Sequence, residues 1–312
     1  MTDLGEDKTE PMCRVSVIIP TRDREEILAD CLERLLAQQG PPCEVIVVDA
    51  SSSEATQGIL SQYPSVVNHR LGDVPYSMVL GRNAGLSLAR GEIVAFIDDD
   101  CYALPGWLAA LAGAFEDPEV IAAGGRVIYH PWKRCVHGEP VALLDLGRDL
   151  VWGQWDRTLD GIVEVPHLPG GNCAVRREVA LAVGGFDTNF VGSANLEETD
   201  FFIRVSKMGG RMVFVPSAVV EHRAAPRSDQ IGRTQTNFVY RYSMVRNRLY
   251  LLRKHGGAGL GAGLRRQAVD LVAGTAKMLW GGIVFAAASA AGIVGGLLCR
   301  PVGKSDGMHG ER

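Results

Sequence analysis

The chain has 312 residues and a formal net charge of −4; 46% of its residues are hydrophobic, 22% charged and 7% aromatic. Those proportions exclude a wholly disordered or collagen-like chain, and the 37 glycines follow no period that would mark a repeat protein. The overall charge gives no ground for a nucleic-acid partner. Seven scattered cysteines without a C-x-x-C pair argue against a disulfide framework or a zinc site, and so predict a reducing, cytoplasmic setting.

The start, MTDLGEDKTEP, is acidic and polar and lacks the basic and apolar regions of a signal peptide, so residues 1–12 are expected to be a disordered tail. Val15 to Ile19 is a short β-branched run that fits a buried parallel strand. Ile27, Leu28, Cys31, Leu32, Leu35 and Leu36 then recur at helical spacing within residues 22–39, closed by Gly40-Pro41-Pro42. A second strand is expected over Val45–Val48, ending at Asp49, followed by helices over residues 54–62 and 76–89. A third, Ile93–Ile97, runs into Asp98-Asp99-Asp100. This alternation predicts an α/β chain with a doubly wound, mostly parallel sheet. Ligands of such sheets sit at the carboxyl ends of the strands, where Thr21, Asp49 and the Asp98–Asp100 run all fall.

Further on, a helix is expected over residues 105–115, a strand over Val120–Ile128, and helices over 179–183 and 197–208, with a strand over Met212–Val215. No elements are assigned between 130 and 168. The final quarter is helical in pattern. Between Arg223 and Arg266 stand ten basic residues and one acid, a local +9 against −4 for the whole chain. Met278–Cys299 carries no charge. It is long enough for a membrane span, but its Ala- and Gly-rich composition also fits an interfacial or packed helix. A basic segment beside an apolar one predicts an enzyme working at the inner face of the cell membrane.

Three adjacent carboxylates repel one another, and a divalent cation relieves that repulsion. Hard oxygen donors with open positions suit Mg²⁺ or Mn²⁺ holding a substrate phosphate. VSVIIPTRDR (15–24), VIVVDASSSE (45–54), GRNAGLSLARGEIVAFIDDDC (81–101), PGGNCAVRREVALAVGGFD (169–187) and NLEETDFFIRVSKMGG (195–210) together resemble the ordered motifs of family 2 glycosyltransferases of the GT-A fold, of the kind that build bacterial cell-envelope polysaccharides. The resemblance implies a GT-A domain over residues 13–225. A basic amphipathic helical region (226–266) and an apolar membrane-associating helix and tail (267–312) would follow it. The implied reaction is inverting transfer from a UDP- or dTDP-sugar to a glycan or lipid-linked acceptor.

It also implies roles. Pro20 and Thr21 would lie against the nucleotide, Asp49 would accept a hydrogen bond from the base, and Arg82 and Asn83 would lie near the ribose and diphosphate. Asp98 and Asp100 match the metal-binding D-x-D pair, Asp98 also touching the donor, and His222 matches a third metal ligand. The acidic helix start reads Glu197-Glu198-Thr199-Asp200, with Glu198 in the place of the general base and Glu197 and Asp200 as supports. Gly170-Gly171 is read either as a close approach of backbone to ligand or as a turn. Two rivals are a nucleotidyltransferase making nucleotide-sugars, against which PTRDREE offers no glycine-rich triphosphate loop, and a non-catalytic glycan-binding relative.

Overall fold

The computed structural model describes residues 14–299, apart from 42, 73–76, 131–139, 193–194, 224–237, 257–258 and 278. The expected tail, residues 1–12, lies outside the described residues. Strands β1 (Val15–Thr21) and β4 (Ile93–Ile97) are buried along their whole length. That is why they read as unbroken apolar runs, since both faces of a parallel strand are covered. With β2 (Cys43–Asp49) and β3 (Val66–Arg70) they form the parallel half of the sheet, in the order β3-β2-β1-β4. Helix α1 (Glu25–Leu36) buries Leu28, Cys31, Leu32 and Leu35, a single stripe at helical spacing. Helices α2 (Ala55–Leu60) and α3 (Met78–Leu88) make the other crossovers. The in-phase pairing of β1 with β2 sets Thr21 opposite Asp49 at the carboxyl edge.

Beyond β4 the sheet becomes mixed. β5 (Cys101–Ala103) leads to α4 (Trp107–Gly113) and β6 (Val120–Tyr129). A hairpin of β7 (Ala142–Asp145) and β8 (Leu150–Gly153) and the two-residue β9 (Val163–Glu164) occupy the stretch to which the sequence assigns no elements. β10 (Asn172–Arg176) then runs antiparallel between β4 and β6. Its burial on both faces comes with glycines before it and arginines after it, so neither alternation nor a long apolar run announces it. After α5 (Arg177–Ala182) and α6 (Glu197–Ser206), β11 (Arg211–His222) pairs parallel with β6, and β5 lies antiparallel on the outer edge of β11.

β11 carries a bulge between Val215 and Val219. The carbonyl of Ala218 turns toward β6, and a Cβ on Gly125 would lie 1.9 Å from it, so no side chain fits there. The buried Asn172 holds the bulge: its Nδ2 donates to the carbonyls of Ala218 (2.9 Å) and Arg126 (3.0 Å), while Trp107 Nε1 donates to its Oδ1 (2.8 Å). One side chain thus ties together β10, β6, β11 and α4.

The basic C-terminal quarter forms α7 (Phe238–Leu251), a wide π-helical turn over Leu252–Gly256, α8 (Gly259–Lys277) and α9 (Leu279–Leu298). α9 packs on α7 by laying Gly292, Gly295 and Gly296 against Tyr242, Val245, Arg246 and Leu249. Many of the cations are committed inward: Arg241 donates to Ser289 (2.7 Å), Arg246 to the carbonyl of Asn189, Arg248 to Asp149 (2.7 Å) and Arg266 to the carbonyl of Asp149 (2.8 Å). Among the described residues, no helix is long and apolar enough to cross a membrane.

Candidate functional site

The turn between β4 and β5 carries the acidic run. Asp99 is buried and accepts from Thr21 Oγ1 (2.9 Å) and from Arg24 (2.6 Å). Burial pushes its carboxyl up to about 7 against the pull of the Arg24 guanidinium, and the neighbouring Asp100 adds to the rise. Arg24 also reaches Asp100, at 3.3 Å. This cation relieves part of the repulsion expected of three carboxylates. In the sequence its signal is only a basic residue three positions beyond the end of the first strand.

Asp100 Oδ1 lies 3.5 Å from His222 Nε2. The β5–β11 ladder brings them together by setting His222 opposite Cys101. Ligand atoms of Asp100, Cys101 and His222 all lie within 4.8 Å of one another. Burial raises the Cys101 thiol well above its usual range, so it stays protonated, and a hard cation here would be held by the carboxylate and the imidazole.

Asp98 faces the other way, toward Arg82. That guanidinium is 1% exposed and bridges two acids, at 2.9 Å from Asp98 Oδ1 and 2.9 Å from Glu197 Oε1, and it donates to the carbonyl of Gly170 at 3.0 Å. A Cβ on residue 171 would lie 2.8 Å from Asp98 Oδ2, so a side chain there would push the Asp98 carboxylate from its place. The Gly-Gly pair therefore lets backbone lie against the acidic run. Glu197 opens α6 directly after Leu196, a non-glycine residue in the left-handed region at φ +70°. Strain of this kind concentrates at functional sites, where surrounding structure holds it in place. Burial, and then the adjacent Glu198 carboxyl, hold Glu197 well above the usual carboxylate range despite Arg82. Two acids this close do not both ionise readily, and the more buried one keeps the proton.

Asp98, Glu197, Glu198 and His222 line one cavity of about 350 Å³, which Tyr240 and Met244 of α7 help to enclose. A boundary after residue 225 would therefore divide a single cavity.

The remaining candidate residues sit elsewhere. Asp49 is wholly buried, and its carboxylate accepts from the Ser51 backbone N–H (2.8 Å) and from Gln57 (2.6 Å). Pro20 is packed within β1 beneath α3. Asn83 is not beside the acidic run. Its amide makes two hydrogen bonds, each 2.8 Å, with the backbone of Phe186 and so pins the segment after α5. Asp200 is turned away from Glu198 and toward the C-terminal helices. It accepts from His255 Nε2 (2.7 Å), Lys254 Nζ (2.8 Å) and Arg204 Nε (2.9 Å). Burial pushes its carboxyl up, but the hydrogen bond from His255 and the charges of Arg204 and Lys254 outweigh that and bring it down to about 2. Lys254 also reaches Asp187, at 2.6 Å.

Residues 16–183 match the family described as Glycosyl transferase family 2. Glucosyl-dolichyl phosphate glucuronosyltransferase of Haloferax volcanii is 32% identical over 224 residues, 67% of this chain and 69% of that one. Among solved structures, GalNAc-T7 with UDP, GalNAc and Mn²⁺ superposes with a TM-score of 0.57 at 19% identity, covering 76% of this chain and 48% of that one. The mannosyltransferase PcManGT of Pyrobaculum calidifontis, in complex with GDP-Man and Mn²⁺, gives 0.53 at 19% identity over 91% of this chain and 87% of its own. These likenesses establish the fold as GT-A.

Proposed function

The chain belongs to glycosyl transferase family 2, and from that premise we propose that it moves a sugar from a nucleotide-diphosphate sugar to an acceptor hydroxyl, with inversion, using Glu198 as the general base. The observation that carries this reading is the Arg82 bridge, 2.9 Å from Asp98 and 2.9 Å from Glu197, with Glu198 beside it on the same cavity. It joins the acidic run at the end of β4 to the acids at the start of α6.

A UDP- or dTDP-sugar is the favoured donor. Asp49, at the carboxyl end of β2, is the residue that would take a pyrimidine N3–H; its side chain is wholly buried, so the base would have to displace the Gln57 amide that now bonds it. Asp100 and His222, which face one another, would hold Mg²⁺ or Mn²⁺; Asp98, the third expected ligand, is turned to Arg82 and would have to swing from it to join them, and a mixed carboxylate–imidazole set favours Mn²⁺. The bound cation would supply positive charge to the departing diphosphate. On the opposite face of the donor sugar, Glu198 takes the proton of the acceptor hydroxyl as it attacks the anomeric carbon. Arg82 holds Glu197 and Asp98 at a fixed separation, so the base and the diphosphate end keep their spacing. A single displacement inverts the centre.

We place the acceptor among lipid-linked or cell-envelope glycans and the enzyme at the inner membrane face. Support comes from the exposed apolar side chains Phe238, Val239, Val294 and Leu298 on the C-terminal helices rather than from the basic residues, many of which are paired within the protein.

Glu198→Gln tests the base. Turnover is expected to fall by roughly 10²–10⁴-fold while nucleotide-sugar binding survives; near-normal turnover would move the base to a neighbour. Mn²⁺-dependent hydrolysis of a nucleotide-sugar by the wild-type chain separates an active enzyme from a vestigial glycan-binding one.

A further inference from the structure

Resting on the transferase reading, we propose that Lys254 is a positioning residue for the reaction: it ties the helical turn that carries Glu198 to the C-terminal helices and so sets the aim of the base. Its Nζ lies 2.6 Å from Asp187 Oδ2 and 2.8 Å from Asp200 Oδ1, and its side chain is only 10% exposed. The two acids come from separate places. Asp187 lies in the loop after α5, and Asp200 in the first turn of α6. The chain between them carries Asn195, Glu197 and Glu198, all on the cavity, and the left-handed Leu196. Lys254 therefore fastens both ends of the segment that brings the base to the cavity.

The remaining acceptor positions of both acids are taken as well. Asp187 Oδ2 also accepts from Tyr250 OH (2.8 Å), and its Oδ1 accepts from the backbone N–H of Asn189 (2.9 Å). Asp200 Oδ1 meets His255 Nε2 (2.7 Å), and its Oδ2 accepts from Arg204 Nε (2.9 Å). Tyr250, Lys254 and His255 belong to the end of α7 and the π-helical turn that follows it. Neighbours on an α-helix point about 100° apart. The wider turn narrows that angle, and Lys254 and His255 converge on one oxygen. Such turns recur at functional sites.

Glu198 and Asp200 share a helical turn, so a grip on Asp200 fixes how far the start of α6 is rotated about its own axis. Side-chain tips stand about 5–6 Å from a helix axis, so a rotation of about 10° moves a tip by about 1 Å. A misplacement of about that size can cost roughly 10²-fold in rate. Arg82 holds the same turn from the cavity side, through Glu197 at 2.9 Å. Lys254 holds it from the opposite side. A turn held on one side can pivot, whereas a turn held on two cannot. Arg204 fastens the following turn, by donating to the carbonyls of Val183 (2.6 Å) and Gly185 (2.7 Å).

The test uses the full chain and two readouts. Hydrogen exchange followed by mass spectrometry reads the turn itself, where the Asp200 amide donates to the Leu196 carbonyl (3.0 Å). Lys254→Met should speed exchange over residues 196–206 at least about tenfold and leave β1–β4 unchanged. Mn²⁺-dependent hydrolysis of UDP-glucose, UDP-galactose, UDP-N-acetylglucosamine and UDP-glucuronic acid reads the base. For whichever of these the wild type hydrolyses, Lys254→Met should lower kcat at least about tenfold while KM changes by less than about twofold. Lys254→Arg should restore both readings. Unchanged exchange in Lys254→Met, unchanged kcat, or a higher KM at constant kcat would overturn the proposal. Should Lys254→Met fail to fold, the wild type decides. In urea below its unfolding transition, α6 and residues 250–256 should open to exchange together, at one free energy; separate openings would overturn the tie. A wild type that hydrolyses none of the four donors would instead count against the transferase reading, and with it against any role in aiming a base.

Discussion

Asp200→Asn removes one negative charge from a buried cluster with two cations, Arg204 and Lys254, and the His255 imidazole, at nearly constant shape. In the fold the Asp200 carboxyl titrates at about 2, against 3.8 when unperturbed. At roughly 1.4 kcal/mol per pH unit, its ionised form contributes on the order of 2 kcal/mol to stability. Its pKa is depressed in the folded state. The contribution is therefore complete above the unfolded value, near 3.8, and is lost as the pH falls through about 2. Asparagine mimics the neutral form, so the variant should lie about 2 kcal/mol below wild type at pH 7. The gap should narrow by roughly half near pH 3 and nearly vanish near pH 2. Urea titration followed by far-ultraviolet circular dichroism, run at pH 7, 5 and 3, measures this directly. A variant as stable as wild type at pH 7 would refute the reasoning. So would a gap that stays constant to pH 3, because Lys254, His255 and Arg204 would then not be what holds Asp200 ionised.

Asp100→Ala should leave the protein folded but abolish both sugar transfer and the rise in melting temperature given by Mn²⁺ with UDP; full retention of that rise would remove Asp100 from the cation site. Arg82→Met leaves the Asp98 carboxylate and the Glu197 carboxyl without the donor that joins them, and should cost about 1–3 kcal/mol, as a buried polar group left unsatisfied does, read as a lower urea midpoint. Gly292→Val would set a Cβ 2.7 Å from the carbonyl of Tyr242. It should separate α9 from α7 at a cost of about 1–3 kcal/mol, visible as faster proteolysis of the C-terminal helices, whereas an unchanged digestion pattern would count against that packing.

The parallel half of the sheet was legible because its strands are covered on both faces. Runs such as Val15–Ile19 and Ile93–Ile97 can hardly be anything else, and their carboxyl ends mark where the acids gather. β10 and β11 were harder. β10 is five residues between glycines and arginines, and β11 is broken by a bulge, so Met212–Val215 and the segment before His222 read as two pieces. The hairpin within 142–153 has strands of only four residues and half-buried faces, and so leaves no clear period.

At the site, sequence brought out residues whose charge is unusual for their place, such as Asp98, Asp100 and Glu198. It did not reveal partnerships, which depend on three dimensions. Arg24 faces Asp99 across 75 positions and Arg82 faces Glu197 across 115. Asp200 belongs to the same acidic motif as Glu198, yet two further positions along α6 turn it by about 200°, out toward Lys254 and His255. Asn83 follows Arg82 but rotates away in the same manner and ends on the backbone of Phe186. Spacing along one helix tells which neighbours share a face; what the opposite face meets is decided by later parts of the chain.

The kink in β11 acts as a phase-setter. Side chains alternate along a strand, so every residue after the kink owes its orientation to how many residues the kink holds. Shortening Pro216–Ala218 by a single amino acid would advance the sequence one step and bring Arg223 to the ladder position opposite Cys101 that His222 holds. An imidazole would give way to a guanidinium, and a locus receptive to cations would become hostile to them. Insertions and deletions, usually tolerated near the rim of a sheet, are here coupled to the chemistry through nothing more than counting.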